Sequence, residues 1–377
     1  MGEQTPPFLS AAAKATEWQQ AAAEILQNLG TPTAAHRLGI LYVSSDFAPY
    51  LPEIEIFMRQ TTGIPHWVGT IGQGVIGTEG EYLGCPSISV MALPVPEGAF
   101  HLLNGIHEDT DPTVGNALPW LKNVDVPLIL THGDPSNQVL QGLLEDLALE
   151  TGGFLVGGLS AAMGPGTQLA GQPDGQGLSG VMLSNRVVPA ITSQTQGCSP
   201  IGGMHQVTDA TDNVVISLDG RPALEVFKED IGEILARDLR RVEGYIYAAL
   251  PLLDGDQADY MVRNLVGIDT GNAVFAIDSV IQPGEMLMFC RRDHDSAVQD
   301  MQRMLDDLDR RRDGQTIRGG IYVNCAGRGP NQFGPKAVEL EMIRETLGDF
   351  PLTGFFANGE ISRDKLYGYT GILTLFL

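Results

Sequence analysis

Basic residues are in short supply. The 377-residue chain has 23 lysines and arginines against 46 aspartates and glutamates, a formal net charge of −23 at pH 7. A field of that sign repels phosphate backbones, which argues against nucleic acid and anionic membrane surfaces as partners. It still permits a local cationic pocket. Cysteine is scarcer. Cys85, Cys198, Cys290 and Cys325 stand far apart, with no CxxC or Cys/His spacing of a zinc site. They form no disulfide framework, so a reducing, cytoplasmic setting is expected. The seven histidines show no HExxH pairing, and no metal site is expected. Long apolar runs are missing too. No stretch approaches the ~20 residues that a membrane-spanning helix needs. Lys14, Glu17 and Gln19 break up the N-terminus before it can form a signal-peptide core. The G-x-G-x-x-G dinucleotide fingerprint is absent where a strand would enter a helix, and Gly157-Gly158-Leu159-Ser160 is not a GxSxG elbow.

What is present is enough for a core: 43% of residues are apolar and 18% charged. The length fits two domains. Residues 1–34 read as an amphipathic helix capped by Ser10 and stopped at Gly30. From Leu38, Val126 and Gly319 onward the same unit recurs. An apolar β-rich run is followed by a polar loop, a helical pattern, a glycine, a second apolar run and a glycine turn. The loops are Ser44-Ser45-Asp46, Thr131-His132-Gly133-Asp134 and Asn324-Cys325-Ala326-Gly327-Arg328. Ser44 to Gly69 and His132 to Gly157 are both 25 positions, and Cys325 to Gly354 is 29. Each unit leads into a further strand, near Ser87–Leu93, Leu178–Leu183 and Tyr369–Phe376. Between the second and third units, helices are expected at Ala223–Ala236 and near Glu243–Leu250, strands at Ala273–Ile277 and Met286–Phe289, and a helix after Ser296. Gly164–Gly180 reads as a long loop. The fold class is therefore α/β, mixed α+β: two domains of packed mixed sheets with outer helices, divided into residues 35–210 and 211–377.

In open α/β sheets ligands gather beyond the carboxyl ends of strands. Three loops qualify by position and composition. In Asn324-Cys325-Ala326-Gly327-Arg328, glycine admits close backbone approach and Arg328 can grip a carboxylate bidentately. In Gly354-Phe355-Phe356-Ala357-Asn358-Gly359-Glu360, two aromatics beside an amide and a carboxylate suit an amphiphilic ligand. Arg291-Arg292-Asp293 precedes a helix N-terminus, a favourable place for an anion. A zwitterion such as an amino acid satisfies all three. It is expected between the two halves, anchored by Arg328, Asn358 and Glu360 against a Phe355–Phe356 wall. Two alternatives stand beside it. Cys325 at a strand end near Arg328 has the setting of a nucleophile, without an identifiable histidine partner. His66 and His205 are candidate axial ligands for haem, which needs a single histidine.

The C-terminal half resembles the FIST C-terminal domain through Leu218-Asp219-Gly220-Arg221-Pro222-Ala223, Val262-Arg263-Asn264-Leu265, Gly267-Ile268-Asp269, Arg292-Asp293, Cys325-Ala326-Gly327-Arg328-Gly329 and Gly354-Phe355-Phe356-Ala357-Asn358-Gly359-Glu360-Ile361. The N-terminal half resembles the FIST N-terminal domain more loosely, through Val68-Gly69-Thr70-Ile71-Gly72 and Gly157-Gly158-Leu159-Ser160. The resemblance implies a sensory module for small ligands, amino acids among them, with some relatives linked to haem and nitric oxide. FIST proteins commonly carry a kinase, a chemoreceptor or an F-box. The first 34 residues are too short for any of these, so a signalling partner in trans is expected.

Overall fold

The computed structural model describes residues 6–251, 260–334 and 336–377. They form two compact units. One comprises the chain up to Thr195 and from Gln302 onward, the other Gln196–Met301.

The first unit holds three six-stranded sheets, one for each copy of the repeat. In the first copy, Leu38–Ser44 runs parallel to His66–Gly72, and Ser87–Leu93 pairs antiparallel with the former. In the second, Leu128–Gly133, Phe154–Leu159 and Leu178–Leu183 repeat that pattern. In the third, Gly319–Cys325, Leu352–Ala357 and Gly371–Phe376 do so. A fourth strand extends each sheet on one side: Leu9–Lys14, Phe100–Ile106 and Ala190–Thr195.

The other side is exchanged between copies. The hairpin after each parallel pair leaves its own sheet and completes another. Gly74–Gly77 of the first copy pairs with Leu352–Ala357 of the third. Gln168–Ala170 of the second pairs with His66–Gly72 of the first. Glu360–Ser362 of the third pairs with Phe154–Leu159 of the second. The exchange closes on itself, so the ends of all three parallel pairs are covered. Backbone bonds at the turns repeat the cycle. Gln73 N–H donates to the Phe356 carbonyl at 2.8 Å, Ala161 N–H to that of Ile71 at 2.8 Å, and Asn358 N–H to that of Leu159 at 3.4 Å. This partition differs from a cut at 210/211, because the third copy's strands hydrogen-bond to those of the first two.

Three glycines fix the register of the repeat. Gly69, Gly157 and Gly354 face Leu41, Thr131 and Tyr322 across the parallel pairs. A Cβ at each would lie 1.7, 1.8 and 1.9 Å from the facing carbonyl oxygen. No side chain fits there. Spacing alone had aligned Ser44 with His132. The pairing aligns Ser44 with Asp134 instead, because the 3-10 turn Ser45–Tyr50 lengthens the first connection.

Three local expectations are corrected. Ser10 caps no helix: it lies in the strand Leu9–Lys14, and the helix is Trp18–Asn28. Alanine is the strongest helix former, but tertiary context overrides propensity, and here small side chains fit a crowded sheet: a Cβ on Gly77 would lie 2.4 Å from that of Ala12. The Gly164–Gly180 stretch contains the exchanged strand Gln168–Ala170 rather than only a loop. The helix expected near Glu243–Leu250 is instead the strand Ile246–Pro251, whose first four residues are buried.

The second unit is an antiparallel sheet system with the helix Ala223–Ala236 packed on it. Phe227 meets Phe275 and Phe289 at ring separations of 5.8 and 4.8 Å. Asp219 and Gly220, at φ 51° and 74°, form the two-residue turn between Val214–Leu218 and Arg221–Pro222. Asp-Gly suits that left-handed pair of conformations. No helix among the described residues is long and apolar enough to cross a membrane.

Candidate functional site

The loop after Gly319–Cys325 is held by a buried carboxylate. Glu339, on the helix Val338–Leu347, is fully buried, as are Arg328, Asn324 and Tyr322. Arg328 Nη2 reaches Glu339 Oε1 at 2.8 Å and Nε reaches Asn324 Oδ1 at 3.0 Å. Tyr322 Oη donates to Glu339 Oε1 at 2.6 Å. Asn324 Nδ2 and the Gly329 N–H donate to Oε2 at 2.8 and 3.0 Å. Burial, then the Glu339 charge, pushes the Tyr322 phenol well above its usual range. Arg328 also lies over the Phe333 ring, 5.2 Å from its centroid.

A second carboxyl adjoins this cluster. Glu81 comes from the exchanged hairpin of the first copy. Burial raises it to about 8, Glu339 adds to the rise and Arg328 opposes it. Its Oε1 is buried without a hydrogen-bond partner among the described residues. Burial therefore favours the protonated form of Glu81. Sequence reasoning named neither glutamate. Glu339 could have been found from its helical spacing of four from buried Ile343. Glu81 gives no such signal, because the hairpin exchange brings it there.

The other expected residues divide by burial. Phe355 and Phe356 are fully buried, and Phe355 packs against Tyr42 at 4.6 Å and His132 at 5.9 Å. Glu360 is fully buried and accepts the Thr370 N–H at 2.9 Å. Gly354 faces the Tyr322 carbonyl and Gly359 has φ 157°. Asn358 is exposed and accepts from Gln73 Nε2 at 3.2 Å. Cys325 and Gly327 are half-buried. Asn324 and Arg328 bond to each other, whereas Phe355, Asn358 and Glu360 are held by Tyr42, His132, Gln73 and Thr370.

The third expected loop borders open space. A cleft of about 490 Å³ in the second unit is lined by Ser199, Arg291, Asp293, His294, Asp295, Ser296 and Gln299. It lies where the strand Met286–Arg291 turns into the helix His294–Arg312. Asp293 accepts the Ser296 N–H at 2.8 Å, capping the first turn, and pairs with Arg291 Nε at 2.7 Å. Burial acts to raise its carboxyl, but the bonds from Ser296 and the Arg291 charge hold it below the usual range. Arg292 uses its backbone N–H to donate to the Tyr245 carbonyl, and its side chain is not among the lining groups. Arg291, beside it, is the cation that reaches the cleft.

The haem candidates are both engaged. His66 Nε2 lies 3.1 Å from Glu97 Oε2. His205 Nδ1 lies 2.6 Å from Asp219 and Nε2 2.8 Å from Asp230. Burial alone would lower the His205 pKa, but these two bonds outweigh it and raise it. A raised pKa stabilises the fold fully below the ordinary value near 6.5, and that contribution is lost as pH rises through the higher value. Unfolding midpoints of the wild type are thus expected to fall on the alkaline side, and those of His205→Gln to be flatter over that interval. Denaturant titrations from pH 5 to 9 check this.

The sequence matches the FIST N domain over residues 37–221 and the FIST C domain over 223–363. The chain belongs to the FIST family. FIST domains are generally sensory, small-ligand-binding domains of signal transduction. An uncharacterised protein of Mycobacterium tuberculosis is 28% identical over 378 residues, covering 95% of each chain. An uncharacterised Mycobacterium bovis protein is 35% identical over 211 residues, covering 53% of each. The FIST C segment supplies every lining residue of the cleft except Ser199, together with most of the third repeat copy. It therefore contributes to both compact units.

Proposed function

We propose that the protein senses a small zwitterionic metabolite, such as an amino acid, at the cleft beside Arg291, and signals to a partner protein. The carrying observation is the lining itself. One cation and a helix N-terminus stand within a few residues of two carboxylates, which matches a ligand bearing both charges. A volume of about 490 Å³ suits a molecule of that size.

Energetics favour this cleft over the loop around Arg328. The Arg291–Asp293 pair has side chains 48% and 25% exposed, and such pairs contribute about 0–1 kcal/mol. A ligand carboxylate can replace that partner at little cost. Arg328 and Glu339 are both 0% exposed, and opening a buried pair costs about 3–5 kcal/mol. Calorimetry with a panel of the common amino acids tests the reading. At least one is expected to bind, with Arg291→Ala and Asp295→Asn each weakening it about tenfold or more, the loss of one charge-assisted contact. Binding unaffected by both substitutions would overturn the site, and no binding across the panel would overturn the ligand class.

A further inference from the structure

The core of the first unit holds two polar atoms that the fold leaves unanswered. His132 and Ser179 face one another across the strands Leu128–Gly133 and Leu178–Leu183, and both are fully buried. His132 Nε2 lies 3.2 Å from the Tyr42 hydroxyl. His132 Nδ1 and Ser179 Oγ have no hydrogen-bond partner among the described residues. Burial holds the imidazole near pKa 3, so the ring is neutral and Nδ1 is a donor or an acceptor according to its tautomer.

The repeat supplies two internal comparisons. The glycine register makes Tyr42, His132 and Val323 equivalent, and their facing residues are Ser89, Ser179 and Ile372. In the first copy Ser89 Oγ donates to the Ile76 carbonyl at 2.7 Å and meets Thr353 Oγ1 at 2.8 Å. In the third copy the pair is Val323 and Ile372, which need no partner. The second copy keeps two polar groups. Yet Val68 stands where Thr353 serves the first copy, so no hydroxyl is offered to Ser179. An apolar pair was available to this fold, as the third copy proves. An unanswered buried polar atom costs about 1–3 kcal/mol, and there are two.

We propose that a single water molecule is bound here, bridging His132 Nδ1 and Ser179 Oγ. Directly opposed residues in an antiparallel pair have Cβ atoms about 4.5–5.5 Å apart, a span one water can bridge. Buried waters sit where two or more polar groups converge, and this is such a place. The site makes a continuous chain from the Tyr42 hydroxyl through the imidazole and water to Ser179, in the region where strands of the three copies meet.

The sign of one substitution tests it. With the water present, Ser179→Ala takes away one of its anchors, and the full-length protein is expected to melt about 2–4 °C lower. Without it, the same substitution removes an unanswered hydroxyl and raises the melting temperature. Ser89→Ala, which breaks direct bonds, should fall in either case and calibrates the scale. A high-resolution crystal map of the wild type is expected to show a water peak within hydrogen-bond distance of both atoms. An unchanged or raised melting temperature for Ser179→Ala, or a map without that peak, overturns the proposal.

Discussion

Arg328→Ala is expected to destabilise the first unit by about 3–5 kcal/mol, measured as a lower urea midpoint with an unchanged slope. The cost does not come from losing an attraction. It comes from what remains. Glu339 would be left as a buried carboxyl group without its cation, since Arg328 and Glu339 are both 0% exposed. Tyr322, Asn324 and the Gly329 N–H still donate to it, but they are neutral. Replacing both partners by apolar residues of similar shape, as Arg328→Met with Glu339→Leu, is expected to recover most of the loss. A double variant no more stable than Arg328→Ala would mean that the cluster holds the loop by geometry rather than by charge.

Glu81→Gln carries the second large effect, and its sign depends on pH. In the folded protein the Glu81 carboxyl is raised to about 8 from an ordinary 4.5, burial being the first cause and the Glu339 charge the second. The unfolded chain ionises it near 4.5. The folded state therefore holds a proton that the unfolded state releases. Stability is complete below pH 4.5 and is lost as pH rises through about 8. At pH 7 that loss is on the order of 3 kcal/mol. Glutamine has no proton to lose, so the variant should be more stable than the wild type by that amount at pH 7 and equal to it near pH 4. Urea unfolding at a series of pH values tests this, and parallel profiles for the two proteins would refute it.

Local signals in the sequence carried much of the first unit. The three strand–helix–strand copies, their glycine turns and the strands that follow are periodic, punctuated patterns, and they form as expected. The Asp219-Gly220 turn also acts locally. What escaped depends on partners distant in sequence. Leu-Ser-Ala-Ala-Ala-Lys carries helix propensity, yet its strand is decided by a sheet edge supplied by Ser87–Leu93. Ile246–Pro251 is likewise decided by its neighbours Tyr260–Arg263 and Met286–Arg291. The residue types around Arg328 were recognisable, but their direction was not: Arg328 turns inward to Glu339, which lies 11 positions away. The charged tripeptide Arg291-Arg292-Asp293 was legible as a candidate. Which arginine faces the cleft was not, since Arg291 ends the strand and Arg292 begins the turn that follows it.

The exchanged hairpins impose an order on synthesis. As the chain leaves the ribosome, the first sheet can finish once Gln168–Ala170 has emerged. The second must wait for Glu360–Ser362. The hairpin Gly74–Leu83 and the strand Ala190–Thr195 have no partners until the last 60 or so residues are made. Gln196–Met301, a contiguous stretch, can also close as it appears. For most of translation the nascent protein therefore carries unsatisfied sheet edges, the surfaces on which β-rich chains aggregate. Truncation near the C-terminus strikes at the same point. It removes the last copy, and with it the partner of the first hairpin made.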